Sequence, residues 1–319
     1  MRIAVDVMGG DYAPEEVIAG ALKWAQESGS QVLLVGERES VEKELKSYDY
    51  TSSQVVVVDA PETIGMDESP ATAIRKKSNS SIVVATKLVK ENTADAVISC
   101  GNTGAQMAAA LFILGRMEGI ERPPIVTSIP NSAGSFSLLI DAGANVDCKP
   151  KQLLQFAFLG KAYASILLGI ENPRISLLNN GEEEGKGNAL AVETYSLLRG
   201  QNALNFIGNI EGRELFSAKS DVIVCDGFTG NILLKTIEGM AIFMARMITK
   251  ELGGKPLKVF GEWDYAKIGG APLLGVNGVS IVCHGSSKRE AVFNGMRVAE
   301  DCIKNEIVKK QQDALSKLV

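Results

Sequence analysis

Histidine is almost missing from this chain: His284 is the single one in 319 residues, and aromatic side chains make up only 6%. With one imidazole and no G-x-S-x-G elbow to present a serine, Ser-His-Asp hydrolysis is improbable chemistry. The five cysteines, Cys100, Cys148, Cys225, Cys283 and Cys302, stand far apart and form no C-x-x-C pair, which argues against a zinc knuckle or thioredoxin-type site. Three of them end apolar runs, as buried reduced thiols do. No apolar run is long enough to span a bilayer, and "MRIAVDVMGGD" carries no signal peptide. The expectation is a cytoplasmic protein that is still able to lie on a membrane surface. A basic excess is also lacking: 33 Lys and Arg face 38 Asp and Glu, so the net charge of −5 speaks against general nucleic-acid binding. Local basic patches such as Arg75-Lys76-Lys77 remain available to an acidic partner. Neither linker, repeat nor low-complexity segment interrupts the chain.

What is plentiful is glycine, 32 residues of it, together with short apolar runs that alternate with helical patterns. Strands are expected at 2–7, 31–35, 54–58, 95–99, 125–129, 137–141, 174–178, 221–225 and 279–284. Helices are expected at 14–28, 37–46, 80–90, 103–114, 149–168, 187–198, 230–250 and 288–304. Strands apolar on both faces and separated by helices imply an α/β fold, doubly wound, with a mostly parallel sheet covered on both sides. The whole of 1–319 reads as one continuous unit, in one or two lobes about a cleft. Residues 230–268 form a helical segment suited to a dimer or membrane contact.

Six strand exits share one character: "VDVMGGD" (5–11), "VISCGNTGA" (97–105), "LLIDAGANVDCKP" (138–150), "LLNNGEEEGKGN" (177–188), "IVCDGFTGN" (223–231) and "IVCHGSS" (281–287). Each pairs glycine with small polar or charged residues. In a parallel sheet these ends share one edge, where helix N-termini point N–H groups and partial positive charge at a ligand. An anion pocket is the expectation.

Individual residues carry competing readings. Asp6 and Asp11 flank Gly9-Gly10; they either finish a strand and cap a helix or orient a substrate, and two aspartates alone do not make a metal site. Gly101-Asn102-Thr103-Gly104 suits both an N-cap and an anion loop. "GEEEGKGN" (181–188) resembles a nucleotide phosphate loop but has three residues, all glutamate, between its first Gly and Gly-Lys, and lacks the following Ser or Thr. Its glutamates read as solvated carboxylates before a helix. Lys186 is set against the local helix dipole, so it either holds an anion or pairs with a neighbouring glutamate. His284 is a general base or a satisfied strand-end residue. The stripe Ile237, Met240, Ala241, Met244, Met247, Ile248 reads first as core packing and second as a subunit interface.

Taken in order, "AVDVMGGDYAP", "SCGNTGA", "DAGANVDCKP", "GEEEGKGN", "DGFTGNILLK" and "GGAPLLGVNG…HGSS" resemble the phosphate acyltransferase family of bacterial phospholipid synthesis. The resemblance covers nearly the whole chain. It implies transfer of a fatty acyl group from acyl carrier protein to inorganic phosphate, giving acyl phosphate for a membrane glycerol-3-phosphate acyltransferase. It also implies a fold similar to isocitrate and isopropylmalate dehydrogenases, a homodimer and peripheral membrane association; no cofactor or metal is expected, because the sequence shows no ligand cluster and a thioester is already activated. Lys186 and Asn231 are the catalytic candidates it points to. Asp6, Gly9, Gly10, Asp11, Gly101, Asn102, Thr103, Gly104, Asn145, Asn188, His284 and Ser286 are the candidates for substrate or phosphate binding. One departure concerns "ELGGKPLKVFGEWDYAKIGG", which looks shorter than the membrane-contacting hairpin of relatives, although Leu257, Val259, Phe260 and Trp263 offer an apolar tip. The alternatives are a metal-dependent decarboxylating dehydrogenase on the same fold, or a non-catalytic regulator that binds acyl carrier protein.

Overall fold

The computed structural model describes residues 1–252 and 269–317. The apolar tip at Leu257, Val259, Phe260 and Trp263 lies outside the described residues, as does the 253–268 part of the expected helical segment 230–268. In chain order the described strands are β1 (Arg2–Asp6), β2 (Gln31–Gly36), β3 (Val55–Asp59), β4 (Ala96–Ser99), β5 (Val126–Pro130), β6 (Phe136–Ile140), β7 (Arg174–Asn179), β8 (Asn205–Glu211), β9 (Val222–Val224), β10 (Ala271–Pro272) and β11 (Val279–Val282). The described helices are α1 (Glu15–Ser28), α2 (Arg38–Leu45), α3 (Pro70–Lys76), α4 (Ser81–Lys90), α5 (Thr103–Ala109), α6 (Pro150–Leu167), α7 (Ala189–Arg199), α8 (Gly227–Glu251), α9 (Arg289–Lys304) and α10 (Ile307–Leu315). The expected helix at 103–114 turns out in two pieces, because α5 gives way to a π turn at Ala110–Leu114.

Two compact units contain these elements: residues 1–117 with 269–308, and residues 118–252 with 309–317. The first holds a sheet of order β10-β11-β4-β1-β2-β3, parallel throughout except for β10 against β11. Its central strand is apolar on both faces, and Ile3, Ala4 and Val5 are buried. Strands of this kind need helices on either side to remove them from water. α1 supplies one cover, turning Val17, Ile18, Ala21, Leu22, Trp24 and Ala25 inward at helical spacing. It stops at Gly29, whose φ of 69° is the left-handed conformation that glycine adopts most easily. α9 lies against α1, and the Trp24 indole N–H donates to Glu300 at 2.8 Å.

The second unit holds a sheet of order β5-β6-β9-β7-β8, parallel except for β5 against β6. α6 is apolar nearly all round and buried, with Leu153, Phe156, Phe158, Leu159 and Tyr163 among its inward residues. β8 was not expected from the sequence. It is an edge strand in which an extra residue, Ile207, bulges beside Gly208 at φ 105°, so its alternation is broken. The mostly parallel, helix-covered architecture is the doubly wound α/β class expected from the sequence.

α8 departs from the core-packing reading of its stripe. Leu233 and Ile237 pack against the core cluster that contains Ile129, Leu139, Ile223 and Cys225. Farther along, Met240, Met244 and Met247 are exposed, as are Ile242 and Phe243. None of the helices in the described residues is long and apolar enough to cross a membrane.

Two glycines on α8 separate tight seating from free surface. A methyl group at Gly230 would collide with the Asp141 carbonyl oxygen, whereas at Gly239 it would meet nothing within 4 Å. Gly230→Ala should therefore cost about 3 kcal/mol or more through overpacking. Gly239→Ala should stabilise by roughly 0.5–1 kcal/mol, because alanine is the better helix former. Denaturation midpoints of the two variants should move in opposite directions.

Helices α1 and α9 are also joined by charge. Arg289 donates to both carboxylate oxygens of Glu16, at 2.6 to 3.2 Å, and holds its carboxyl at about 2 instead of the usual 4.5. A depressed carboxylate contributes stability that is present above its unfolded value and lost as pH falls through the folded one. The Arg289 side chain is 55% exposed, so solvent limits the gain to about 1 kcal/mol or less. The stability deficit of Glu16→Gln should be full at pH 7 and should vanish between about pH 4.5 and pH 2, as followed by thermal melts.

Candidate active site

The six glycine-bearing exits do not share one edge. Three leave β1, β4 and β11, neighbours in the first sheet; three leave β6, β9 and β7, neighbours in the second. The reason is that the chain builds two separate sheets.

At the first edge Asp6 is 3% exposed and accepts the Ser99 hydroxyl at 2.7 Å and the Met8 N–H at 3.3 Å. Burial raises its carboxyl above the ordinary value, against the pull of the Ser81 and Ser99 hydroxyls. A cavity of about 10 Å³ beside it, lined in part by Ser81, Thr63 and Asn102, has room for roughly one water molecule. Gly9 and Gly101 touch backbone to backbone: a methyl on Gly9 would sit 2.8 Å from the Gly101 nitrogen. Gly10, at φ 112°, passes between the ends of β4 and β11. Asp11 is exposed, and its N–H donates to the Gly285 carbonyl at 2.8 Å. Asn102 caps α5 by accepting the Ala105 N–H at 3.0 Å. Its amide nitrogen is directed to the carbonyls of Gly65, Met66 and Glu68. Thr103 opens α5, and Gly104 admits the ring of Pro70. His284 Nδ1 lies 2.7 Å from the Ser286 hydroxyl and accepts the Ser286 N–H at 3.2 Å, which leaves the neutral ring's proton on Nε2.

The second edge is organised by a residue that the sequence did not single out. Asp141 is fully buried and accepts five N–H bonds: from Ile125, Gly143, Ala144, the Asn145 backbone and the Asn145 amide, at 2.7 to 3.1 Å. Burial pushes its carboxyl up while the N–H donors pull it back. Asn145, 4% exposed, also donates to the Pro123 carbonyl and accepts the Gly227 N–H, which seats the first turn of α8. Asn231 follows on that helix and lies over Gly143: a methyl there would be 3.3 Å from its Cβ.

The 181–188 loop leaves β7, and Asn188, not Lys186, caps α7 by accepting the Ala191 N–H at 2.9 Å. Two of the three glutamates are not free carboxylates before a helix. Glu184 pairs with Arg199, and Glu182 with Lys219 at 3.2 Å. Lys186 forms no ion pair among the described residues, so the reading that pairs it with a neighbouring glutamate fails. Next to this loop is a cavity of about 410 Å³ at the ends of β7 and β9. Leu153, Leu177 and Leu190 give it apolar wall, and Asn179, Asn188, Asp226 and Thr229 give it polar rim. Its size is that of a small-molecule site. Asp226 caps α8 through both carboxylate oxygens, to the Thr229 N–H and hydroxyl at 2.8 Å.

Lys186, Asn188, Asn145 and Asn231 thus belong to the second unit, and Asp6, Gly9, Gly10, Asp11, Gly101, Asn102, Thr103, Gly104, His284 and Ser286 to the first. Asn179 and Asp226 were overlooked, although each stands at a strand's end where ligands of parallel sheets bind. Among the described residues no three His, Cys, Asp or Glu gather in a way that could hold a metal ion.

A family model described as "Fatty acid synthesis protein" matches residues 1–310. A phosphate acyltransferase of Syntrophomonas wolfei is 66% identical over 100% of this chain and 99% of its own length. One from Desulforamulus reducens is 50% identical over 99% of this chain and 97% of that protein. The chain belongs to the phosphate acyltransferases of fatty acid synthesis. It is an acyltransferase, which removes the dehydrogenase and regulator alternatives. Solved structures share the fold: a phosphotransacetylase from Streptococcus pyogenes has TM-score 0.61 and 20% identity, covering 99% of this chain and 94% of that one. A 4-hydroxythreonine-4-phosphate dehydrogenase from Klebsiella pneumoniae has TM-score 0.60 and 13% identity, covering 95% and 99%.

In this acyltransferase the five-donor carboxylate invites a direct test. Asp141→Asn puts an amide NH₂ where only acceptors fit, leaving buried N–H groups unmatched. The variant should lose about 3 kcal/mol of stability in urea titrations, more than Asn145→Ala, which removes the two hydrogen bonds of the Asn145 amide and should lose about 1–2 kcal/mol.

Proposed function

We propose that this acyltransferase moves a fatty acyl group from acyl carrier protein to inorganic phosphate and releases acyl phosphate. The observation that carries the reading is Lys186, a cation without an ion pair among the described residues, in a loop where Glu184 is paired with Arg199 and Glu182 with Lys219. The loop borders a cavity that combines leucine walls with an amide and hydroxyl rim, suited to a reactant with one apolar and one polar part. In the proposed step a phosphate oxygen attacks the thioester carbon, a C–O bond forms, and the carbonyl electrons move onto oxygen. The C–S bond then breaks and a thiolate leaves. A thiol has an ordinary pKa of about 8.5, so departure needs little acid help and no histidine. Lys186 holds the phosphate, and the Asn231 amide donates to the developing oxyanion. Asn188 takes part at the rim, while Asp6, Asn102 and Asn145 contribute through the loops they hold. Asp11, Thr103, His284, Ser286 and the glycines Gly9, Gly10, Gly101 and Gly104 form a second substrate-binding edge.

The same reading includes a homodimer, peripheral membrane association and delivery of product to a membrane glycerol-3-phosphate acyltransferase. The exposed apolar side chains along α8 support a contact of this kind. For the acidic carrier protein, Arg75 and Lys76 are the available docking cations of α3, since Lys77 is tied to Glu68 at 2.6 Å.

Incubation with palmitoyl-acyl carrier protein should consume thioester only when phosphate is present, with acyl phosphate trapped as its hydroxamate. Lys186→Ala should lower kcat/KM for phosphate roughly 30- to 150-fold, from an attraction of about 2–3 kcal/mol after solvent competition. Its melting temperature and its KM for the carrier protein should stay close to wild type. Wild-type phosphate kinetics in this variant would sink the assignment of Lys186.

A further inference from the structure

On the reading that Lys186 holds phosphate, we infer that Asn209, an edge-strand residue 26 positions from Glu183, is a positioning residue that fixes the loop carrying that lysine. Asn209 lies on β8 and is 5% exposed. Its amide nitrogen donates to the Glu183 carbonyl at 2.9 Å, and that carbonyl also accepts the Lys186 N–H at 3.1 Å. One oxygen therefore closes the turn from Glu183 to Lys186 and is anchored to the sheet. The Asn209 side-chain oxygen is buried with no partner. An edge strand has no packing need for a half-satisfied buried amide, which is an expense in stability. What the position gains is the anchor to Glu183.

Two further features act on the same lysine. On the far side of the turn, the Asn179 amide donates to the Lys186 carbonyl at 3.0 Å, and the Asn180 N–H fixes the Asn179 oxygen at 2.8 Å. Gly181 is buried beneath: a methyl there would stand 2.8 Å from Lys186 Cγ and 3.0 Å from a Glu183 carboxylate oxygen. The stem of Lys186 thus lies across Gly181, with the backbone pinned before and after it. A lysine side chain left to itself samples many rotamers, and confining it costs entropy. Pinning the turn beforehand narrows that search, so the ammonium is held for its anion and not drawn to Glu183 or Glu184.

The test uses Asn209→Ala, Asn209→Asp and Lys186→Ala in the full-length enzyme, with inorganic phosphate as the varied substrate. Loss of one such hydrogen bond should raise KM for phosphate about 3- to 10-fold, with kcat and the KM for the acyl donor within about twofold. Asn209→Asp removes the donor at unchanged size, so it should behave like the alanine variant even if the latter folds poorly. Hydrogen exchange at amides 184–188 should accelerate in both, a readout independent of activity. In the Lys186→Ala background the Asn209 substitutions should have no further effect on phosphate KM, because they act through that lysine. Unchanged loop exchange, or Asn209 effects that multiply fully with Lys186→Ala, would overturn the inference. Failure of the underlying reading shows separately, as a Lys186→Ala single variant with wild-type phosphate KM.

Discussion

A carboxylate with five N–H donors fixes more of this molecule than any other single group. Asp141 ends the run of β6, and its donors come from the residue ahead of β5, from the three residues that turn the chain away, and from the Asn145 amide. Once that loop is set, the Asn145 carbonyl accepts the Gly227 N–H, and α8 can start only where it does. Gly230 completes the seating because no side chain fits between the helix and the Asp141 carbonyl. Asn231, the next residue, is thereby carried onto Gly143. The position of one proposed catalytic amide is a consequence of how a buried charge is solvated by the backbone.

The first unit uses a related device at β1. Asp6 is buried at the strand's end, and burial raises it as it does Asp141, but its partners are hydroxyls and the loop N–H groups of Met8 and Gly9. The loops around it close by glycine contacts, Gly9 on Gly101 and Gly10 between β4 and β11, and not by a dense ring of donors. Both units therefore place a buried aspartate at the end of a sheet strand, beside a glycine-bearing loop. The difference lies in what satisfies the charge: backbone in the second unit, side chains and a water-sized space in the first.

The fold class and nearly all the central strands were legible in the sequence because a strand buried on both faces is a continuous apolar run, as at Arg2–Asp6 and Arg174–Asn179. β8 escaped because Asn205, Gly208 and Asn209 interrupt its pattern, which an edge strand with a bulge tolerates. α3 escaped because "PATAIRK" is short and its Arg75 and Lys76 read as a charged patch. The strand exits were legible as glycine-rich turns, yet their division between two sheets was not, since strand order is a matter of long-range pairing. The same limit applied to side chains. Asp141 draws a donor from 16 residues away, and Asn209 meets Glu183 across 26. Local pattern holds no trace of such pairs.

The charge pattern of "GEEEGKGN" shows how this limit shapes a functional reading. Within the sequence, three glutamates beside one lysine look self-neutralising. In the fold, Arg199 on α7 takes Glu184, and Lys219 bridges Glu182 and Glu214. Those pairs are exposed, so they add little to stability. Their consequence is to remove two competitors for the lysine at the place where an anion is expected. A phosphate that acts as nucleophile must be held firmly enough to be oriented but must keep an oxygen lone pair for the thioester carbon. On the proposed role of Lys186, a single ammonium on a pinned turn meets that demand better than a ring of cations, which would stabilise the phosphate charge and blunt its attack. In the proposed step the leaving thiolate asks for no proton. For the proposed transfer, a site of lysine, asparagine and glycine, in a chain with one histidine, meets what the chemistry asks.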